Sequence, residues 1–394
     1  MLRSTSFARL VLLASGLAFQ TQALAAAGSG FKLGPLRVSP TAALTLAHDS
    51  NVIISSDQEI DSFVTRFSPG VRVEAGSEIN LLSATLQSEF GRYQSSTVDN
   101  YTDHSLALQW SWNPLVRHAL ILDATWSRHH DARGTAGREG ELALLPFAPD
   151  EYDERALGAR YRFGAPGARG RLEFSAGTND IEYRNNRALT IFRDRNDRKL
   201  AAGFYWRVAP KTSALVTVDQ VDADYDVSTL DSRERHYYVG VELDATARTS
   251  GSVLIGRAQK DFDDPARRDY SGASWRAGVR YKLRSYSILE LTTGRDTDET
   301  NGFGDFILRR DVTLGWMHQW SSRFTSQVDV GIAHDEHRPS LRTDDSLYYG
   351  LSGQYRVAPW LSLGAGYRVS DRDSDISELN YQRKQLLLSV EASL

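Results

Sequence analysis

The chain of 394 residues contains no cysteine. That absence removes disulfides, a cysteine-linked lipid anchor and the soft thiolate ligand of a metal site. Beyond Ala25 no stretch approaches the ~18 consecutive apolar residues of a spanning helix, which excludes a helical inner-membrane protein. An excess of positive charge is also missing: 46 Lys and Arg stand against 50 Asp and Glu, a net charge of −4. Binding to nucleic acid needs a concentrated basic footprint, so no nucleic-acid partner is expected. HExxH and EF-hand spacings are absent, and no serine partner stands beside the histidine clusters. No catalytic residue, metal or cofactor is therefore assigned.

What is present begins with an export signal. Arg3 and Arg9 precede an apolar run from Leu10 to Phe19, and Ala23-Leu24-Ala25 supplies a small-residue cleavage site. Cleavage after Ala25 takes away two arginines and no acid, leaving 44 basic against 50 acidic residues, a net −6. The expected organisation is a signal peptide over 1–25, a short periplasmic segment over 26–35 and a barrel over 36–394. Mean hydropathy is only −0.41, a value usual for soluble proteins. Here the average hides the pattern.

Apolar and polar residues alternate every second position. Leu157, Ala159, Tyr161 and Phe163 oppose Ala156, Gly158, Arg160 and Arg162; Trp275, Ala277, Val279, Tyr281 and Leu283 oppose Arg276, Gly278, Arg280 and Lys282. A helix turns every ~3.6 residues and would scatter these arginines around its whole surface. A strand puts them all on one face, wet on one side and oily on the other. Connections alternate between long (92–103, 129–154, 183–197, 222–234, 260–269, 295–305, 335–345, 370–380) and short (74–77, 113–117, 164–170, 209–212, 247–251, 282–285, 320–323, 358–360). External loops and periplasmic turns of a spanning barrel have that asymmetry. A soluble propeller or sandwich does not predict it.

The reading is therefore all-β: a transmembrane antiparallel up-and-down barrel of about 18 strands with both termini periplasmic. Trp110, Trp112, Trp316 and Trp320 near short turns suggest an aromatic girdle. Residues 206–213 (WRVAPKTS) and 355–362 (YRVAPWLS) repeat weakly, each pairing an inward arginine with a turn proline. The last strand alternates to Leu394, where barrels commonly place an aromatic residue.

A barrel of this size is too wide for side chains to fill, so function belongs to its bore. The lumen candidates are Arg66, Arg72, Arg160, Arg162, Arg207, Arg276, Arg280, Arg356 and Arg368, with Tyr205 and Tyr348 as flat faces for sugar rings. With Arg171 and Lys282 they make eleven inward bases. Ten inward acids oppose them: Glu74, Glu89, Asp123, Glu173, Asp219, Glu242, Asp244, Glu290, Asp329 and Glu391. Two readings stay open: a constriction through Arg160, Arg162, Arg276 and Arg280 facing across the lumen, or a lattice of cross-strand ion pairs stiffening the wall. His129-His130-Asp131 and His334-Asp335-Glu336-His337 read as loop-rim residues, the alternative being a hydrolase dyad. Acid-rich stretches at 219–226, 261–264 and 371–375 read as solvated loop, with divalent cations the alternative. Whether loop 129–154 plugs the bore is left open.

One resemblance sharpens this. Residues 44–52 (LTLAHDSNV), Ser56-Asp57 and 67–71 (FSPGV), followed by Tyr93 and 99–104 (DNYTDH), are similar to the N-terminal signature of the putative beta-barrel porin 2 family. It implies an outer-membrane barrel serving as a passive conduit for exopolysaccharide or capsular polysaccharide. The implied partners are outer-membrane lipid and lipopolysaccharide, a polysaccharide cargo and periplasmic export components. It also implies that Pro69-Gly70 bends the second barrel strand and that Asp49 and Asn51 order the first external loop. A general or sugar-uptake porin is the alternative function.

Overall fold

The computed structural model describes residues 30–243 and 248–394. The expected signal peptide, Asp244 and the start of the 247–251 turn lie outside the described residues. The strands are β1 (Phe31–Leu33), β2 (Leu36–Asp49), β3 (Ser62–Gly76), β4 (Asn80–Tyr93), β5 (Tyr101–Leu115), β6 (His118–Asp131), β7 (Asp150–Phe163), β8 (Gly170–Tyr183), β9 (Arg195–Ala209), β10 (Thr212–Tyr225), β11 (Ser232–Leu243), β12 (Thr249–Phe262), β13 (Tyr270–Arg284), β14 (Ser287–Glu299), β15 (Phe306–Gln319), β16 (Phe324–Arg338), β17 (Thr343–Ala358), β18 (Leu361–Ser374) and β19 (Tyr381–Ser393). β1 folds back on the start of β2, pairing Phe31 with Val38.

From β2 onward every strand pairs antiparallel with its successor, and β19 returns to β2, with Gln385 opposite Asp49 and Ser393 opposite Thr41. The result is a closed 18-strand barrel without a free edge. Leu394 donates its backbone N–H to the Pro40 carbonyl, so the missing terminal aromatic does not stop the last strand from docking.

The oily face is where alternation places it. Leu157 is 61% exposed and Ile255 60% exposed, although both sit in mid-strand. Such exposure suits an apolar solvent, since burial against lipid replaces burial in a core. Among the described residues the buried apolar clusters are small, and the largest lies on the inner side of β2, β3 and β4 near the external mouth. Trp110 stacks on Trp112 at 5.8 Å, and Trp316 and Trp320 donate indole N–H groups to Ser287 and Ser326, all beside short turns.

The strands run further outward than composition indicates. The 18 barrel strands are 12 to 16 residues long, where ~9–11 suffice to cross the hydrocarbon. The connection expected at 335–345 shrinks to 339–342, and that at 370–380 to 375–380. Asp and Arg there are ladder residues that pair across strands, as Arg128 with Asp153 at 2.8 Å and Arg309 with Asp335 at 3.2 Å. Charge made these segments look like loops. Pro69 sits inside β3, where the ladder to β4 lapses between Phe67 and Gly70 because proline has no N–H to give.

Candidate functional site in the lumen and at the mouth

The inner wall over β8 to β14 is an ion-pair lattice. Arg171 on β8 forms an ion pair with Glu173 at 3.0 Å and reaches Glu242 on β11 at 2.5 Å, its guanidinium 3.8 Å above the Tyr205 ring. Arg276 on β13 holds Asp296 at 2.8 Å and Asp219 on β10 at 3.2 Å. Between them His236, fully buried, meets Asp219 at Nδ1 (2.9 Å) and Asp296 and Glu234 at Nε2 (2.6 and 3.1 Å). A ring with a carboxylate at each nitrogen satisfies both only as an imidazolium. Glu234, His236 and Asp296 are close enough to hold a cation, but Lys260 and Arg276 already neutralise these acids. The donor set suits a lattice, not a metal.

Most of the arginines named from the sequence are engaged. Arg72 bonds Glu74 at 2.9 Å, Arg160 approaches Asp123 at 3.7 Å, and Arg280 pairs with Glu290. Arg207 donates to the Gly167 carbonyl at 2.8 Å. Among the described contacts none links the β7 arginines Arg160 and Arg162 to Arg276 and Arg280 on β13; neighbouring acids hold three of the four. Of the two tyrosines, Tyr205 is buried and Tyr348 half-buried. Tyr205 is 5% exposed beneath Arg171; the Tyr348 ring lies over Gly331 with Arg368 4.2 Å above its other face. Arg66, Arg162 and Arg356 have no hydrogen-bond or ion-pair partner among the described residues.

The larger feature is one that residue patterns did not reveal. Loop 132–149, between β6 and β7, crosses the external mouth. Around the closed ring β17 stands seven strands from β6 and β16 eight, so the partners of this loop stand across the barrel. Glu139 accepts from Arg342 at 2.8 Å, Arg372 at 2.5 Å and the Asn301 amide at 2.8 Å. Near its own side Arg133 forks onto Asp99 at 2.7 and 2.5 Å. Arg138, 1% exposed, folds the loop around itself by donating to the carbonyls of Leu145, Phe147 and Ala148. Burial pulls its pKa below the ordinary arginine value in spite of Asp150. Burial acts the same way on Arg342, but bonds to Asp344 and Glu139 outweigh it and hold that pKa above its ordinary value. Leu144 packs against the apolar cluster of Val52, Ile53, Val64 and Tyr101.

A second arm meets this loop. β14 leaves β13 above Arg295 and leans over the lumen: Asp296 touches His236 on β11, and Glu299 bonds Lys260 on β12 at 2.6 Å and Tyr225 on β10 at 2.8 Å. Its hairpin tip carries Asn301, the amide on Glu139. No sequence signal joins Glu139 to an arginine 203 residues away. The available hint was a long connection with charges set between small residues.

Gly134 lets the loop dock. Its φ of +82° is strained for other residues, and a Cβ there would stand 2.0 Å from the Ile53 carbonyl. Gly134→Ala should lift the loop, read as tryptic cutting at Arg133 and Arg138 in the folded barrel; unchanged resistance would show that the loop is held without this contact.

The rim histidines are held by acids: His130 by Asp103 at 2.9 Å, His129 by the same carboxylate at 3.7 Å, His334 by Asp345 at 2.7 Å and His337 by Asp344 at 3.3 Å. Asp131 instead takes the Tyr183 hydroxyl and Arg193. In the acidic stretches Asp222 pairs with Arg233, Asp224 with Arg198 and Asp261 with Arg235. Asn51 closes the first external loop by exchanging bonds with Ser55 at 2.8 and 3.0 Å.

The putative beta-barrel porin 2 model matches residues 25–394. The chain belongs to that family. This porin is thus an outer-membrane β-barrel channel in type, and its shape has solved counterparts. OccK2 (OpdF) of Pseudomonas aeruginosa, in complex with glucuronate, is 12% identical with a TM-score of 0.53, covering 93% of this porin and 100% of that chain. A BenF-like porin from Pseudomonas fluorescens Pf-5 is 9% identical with a TM-score of 0.53, covering 92% and 100%. OpdK of Pseudomonas aeruginosa with vanillate is 12% identical with a TM-score of 0.50, covering 91% and 99%. No curated protein matches the porin.

Proposed function

We propose that the protein is a passive porin for small polar solutes. The observation that carries this is the mouth: loop 132–149 and the β14–β15 hairpin join over the bore through Glu139 and Asn301, leaving passage to molecules small enough to go round them. A hydrophilic wall of matched charges offers many weak contacts, which is what lets a solute enter and still leave. OccK2 and OpdK were solved with glucuronate and vanillate, both small, and the same size class suits this bore.

Export of exopolysaccharide, which the family resemblance implies, is the weaker reading. A polymer would have to thread a mouth that a folded segment crosses, and the Tyr205 ring is buried beneath Arg171. The oily belt supports outer-membrane lipid as the surrounding partner; among the described residues no surface specifies a periplasmic export component. Proteoliposomes carrying the porin should swell readily in isotonic glucose and not in a dextran of several kilodaltons. Equal permeation by both would overturn the small-solute reading and favour the polymer conduit.

A further inference from the structure

Of the three wall arginines without a hydrogen-bond or ion-pair partner among the described residues, Arg66 lies nearest the loop that crosses the mouth. It points inward from β3, opposite Thr45 on β2 and Gly91 on β4. Its Nε is shielded from solvent with nothing to bond, and among the described residues no carboxylate, carbonyl or hydroxyl accepts from its guanidinium. The side chain as a whole is half-buried on the inner face. An ionised group in a protein wall normally finds a partner, because leaving a charged donor unsatisfied costs more than a hydrogen bond returns.

The row continues the same way. Thr45 is opposite Ser389 on β19, which is opposite Gly364 on β18. The hydroxyls of Thr45 and Ser389 also have no partner among the described residues. Three adjacent strands thus present a guanidinium and two hydroxyls, all donors, toward the lumen. Gly364 has no side chain, and the Ser389 hydroxyl takes up the place beside it, 2.4 Å from where a Cβ would stand. From these two residues a wall cavity of about 50 Å³ opens along Gln354, Ser352 and Gln327.

The nearest acids are already engaged. Glu89 accepts from the Tyr101 hydroxyl at 2.5 Å and the Ser68 hydroxyl at 3.1 Å; Glu391 accepts from Gln354 at 3.3 Å. Above the row, toward the mouth, Val64, Ala47 and Leu387 belong to the apolar cluster on which Leu144 rests. The donors lie directly beneath that seal. Any solute that passes the loop on this side meets them next.

We infer that Arg66, with the Thr45 and Ser389 hydroxyls, is a binding site for a small monocarboxylate. The planar guanidinium suits the two oxygens of a carboxylate, and such charge-assisted pairs are stronger than neutral hydrogen bonds. Glu89 and Glu391 flank the site and repel added negative charge, so a ligand with one negative charge should be preferred to one with several. The proposal rests on the solute-porin reading for its place in transport, but not for binding itself.

The test is calorimetric titration of the detergent-solubilised full barrel with benzoate, and with benzamide as an uncharged probe of the same shape. The parent protein should bind benzoate saturably and benzamide at least about ten-fold more weakly. Arg66→Gln should lose about ten-fold or more of the benzoate affinity, and Arg66→Lys should fall between, because it keeps the charge without the fork. Failure of the parent to bind benzoate, equal binding of the two probes, or undiminished benzoate binding by Arg66→Gln would each overturn the inference. The benzoate and benzamide comparison needs no variant, so a folding defect in Arg66→Gln leaves the question decidable. Glucose swelling reports separately on the porin reading: a barrel that binds benzoate and passes no glucose would overturn that reading and not this one.

Discussion

Replacing Glu139 by glutamine is expected to open the external mouth. The substitution keeps the shape and the bond from Asn301 but removes the charge that holds Arg342 and Arg372, whose side chains are 2% and 11% exposed. Stripping one partner from a buried pair costs about 3–5 kcal/mol, because the remaining cations lose their compensation. Arg342 keeps Asp344, so the lower end applies. Even ~3 kcal/mol moves the balance between docked and lifted loop by about two orders of magnitude. Single-channel conductance in planar bilayers should rise, and the size limit in liposome swelling should move to larger oligosaccharides. If both stay at parent values, the loop is a lining and not a gate.

Asp49→Ala should weaken the closure of the barrel more than any substitution on its outer surface. Asp49 is fully buried at the β2–β19 seam, where Arg383 forks onto it at 2.9 and 2.5 Å and the Gln385 amide donates at 2.9 Å. Its loss leaves a buried guanidinium and an amide unsatisfied at the junction of the first and last strands, a cost of about 3–5 kcal/mol. The urea midpoint, followed by the gel mobility difference between heated and unheated samples, should fall accordingly. Asp345→Ala offers the contrast. That carboxylate is 71% exposed and bonds the outward His334, so the midpoint should move by less than ~0.5 kcal/mol. Equal effects would mean the seam is held by its backbone ladder alone.

Several features were readable without coordinates because they depend on spacing of two. The faces assigned to Arg160, Tyr205, Arg276 and Tyr348 follow from alternation. What those side chains touch could not be read. Arg276 meets Asp219 only because β10 and β13 curve around one wall, and Tyr205 is covered only because Arg171 folds over it. External strand lengths were under-read for a related reason: Asp335 looks like a loop residue until Arg309 is seen to be its ladder neighbour.

The sequence by itself determined the antiparallel barrel and its two faces, since a repeat of two residues and the order of long and short connections are local properties of the chain. Only the tertiary structure decided that loop 132–149 crosses the mouth, that β14 leans inward, and that Arg66 is left without a partner while Arg160 and Arg280 have theirs. Those outcomes depend on which residues closure brings together, as Glu139 with Arg342 and Arg372, and no local pattern encodes contacts between opposite sides of a ring.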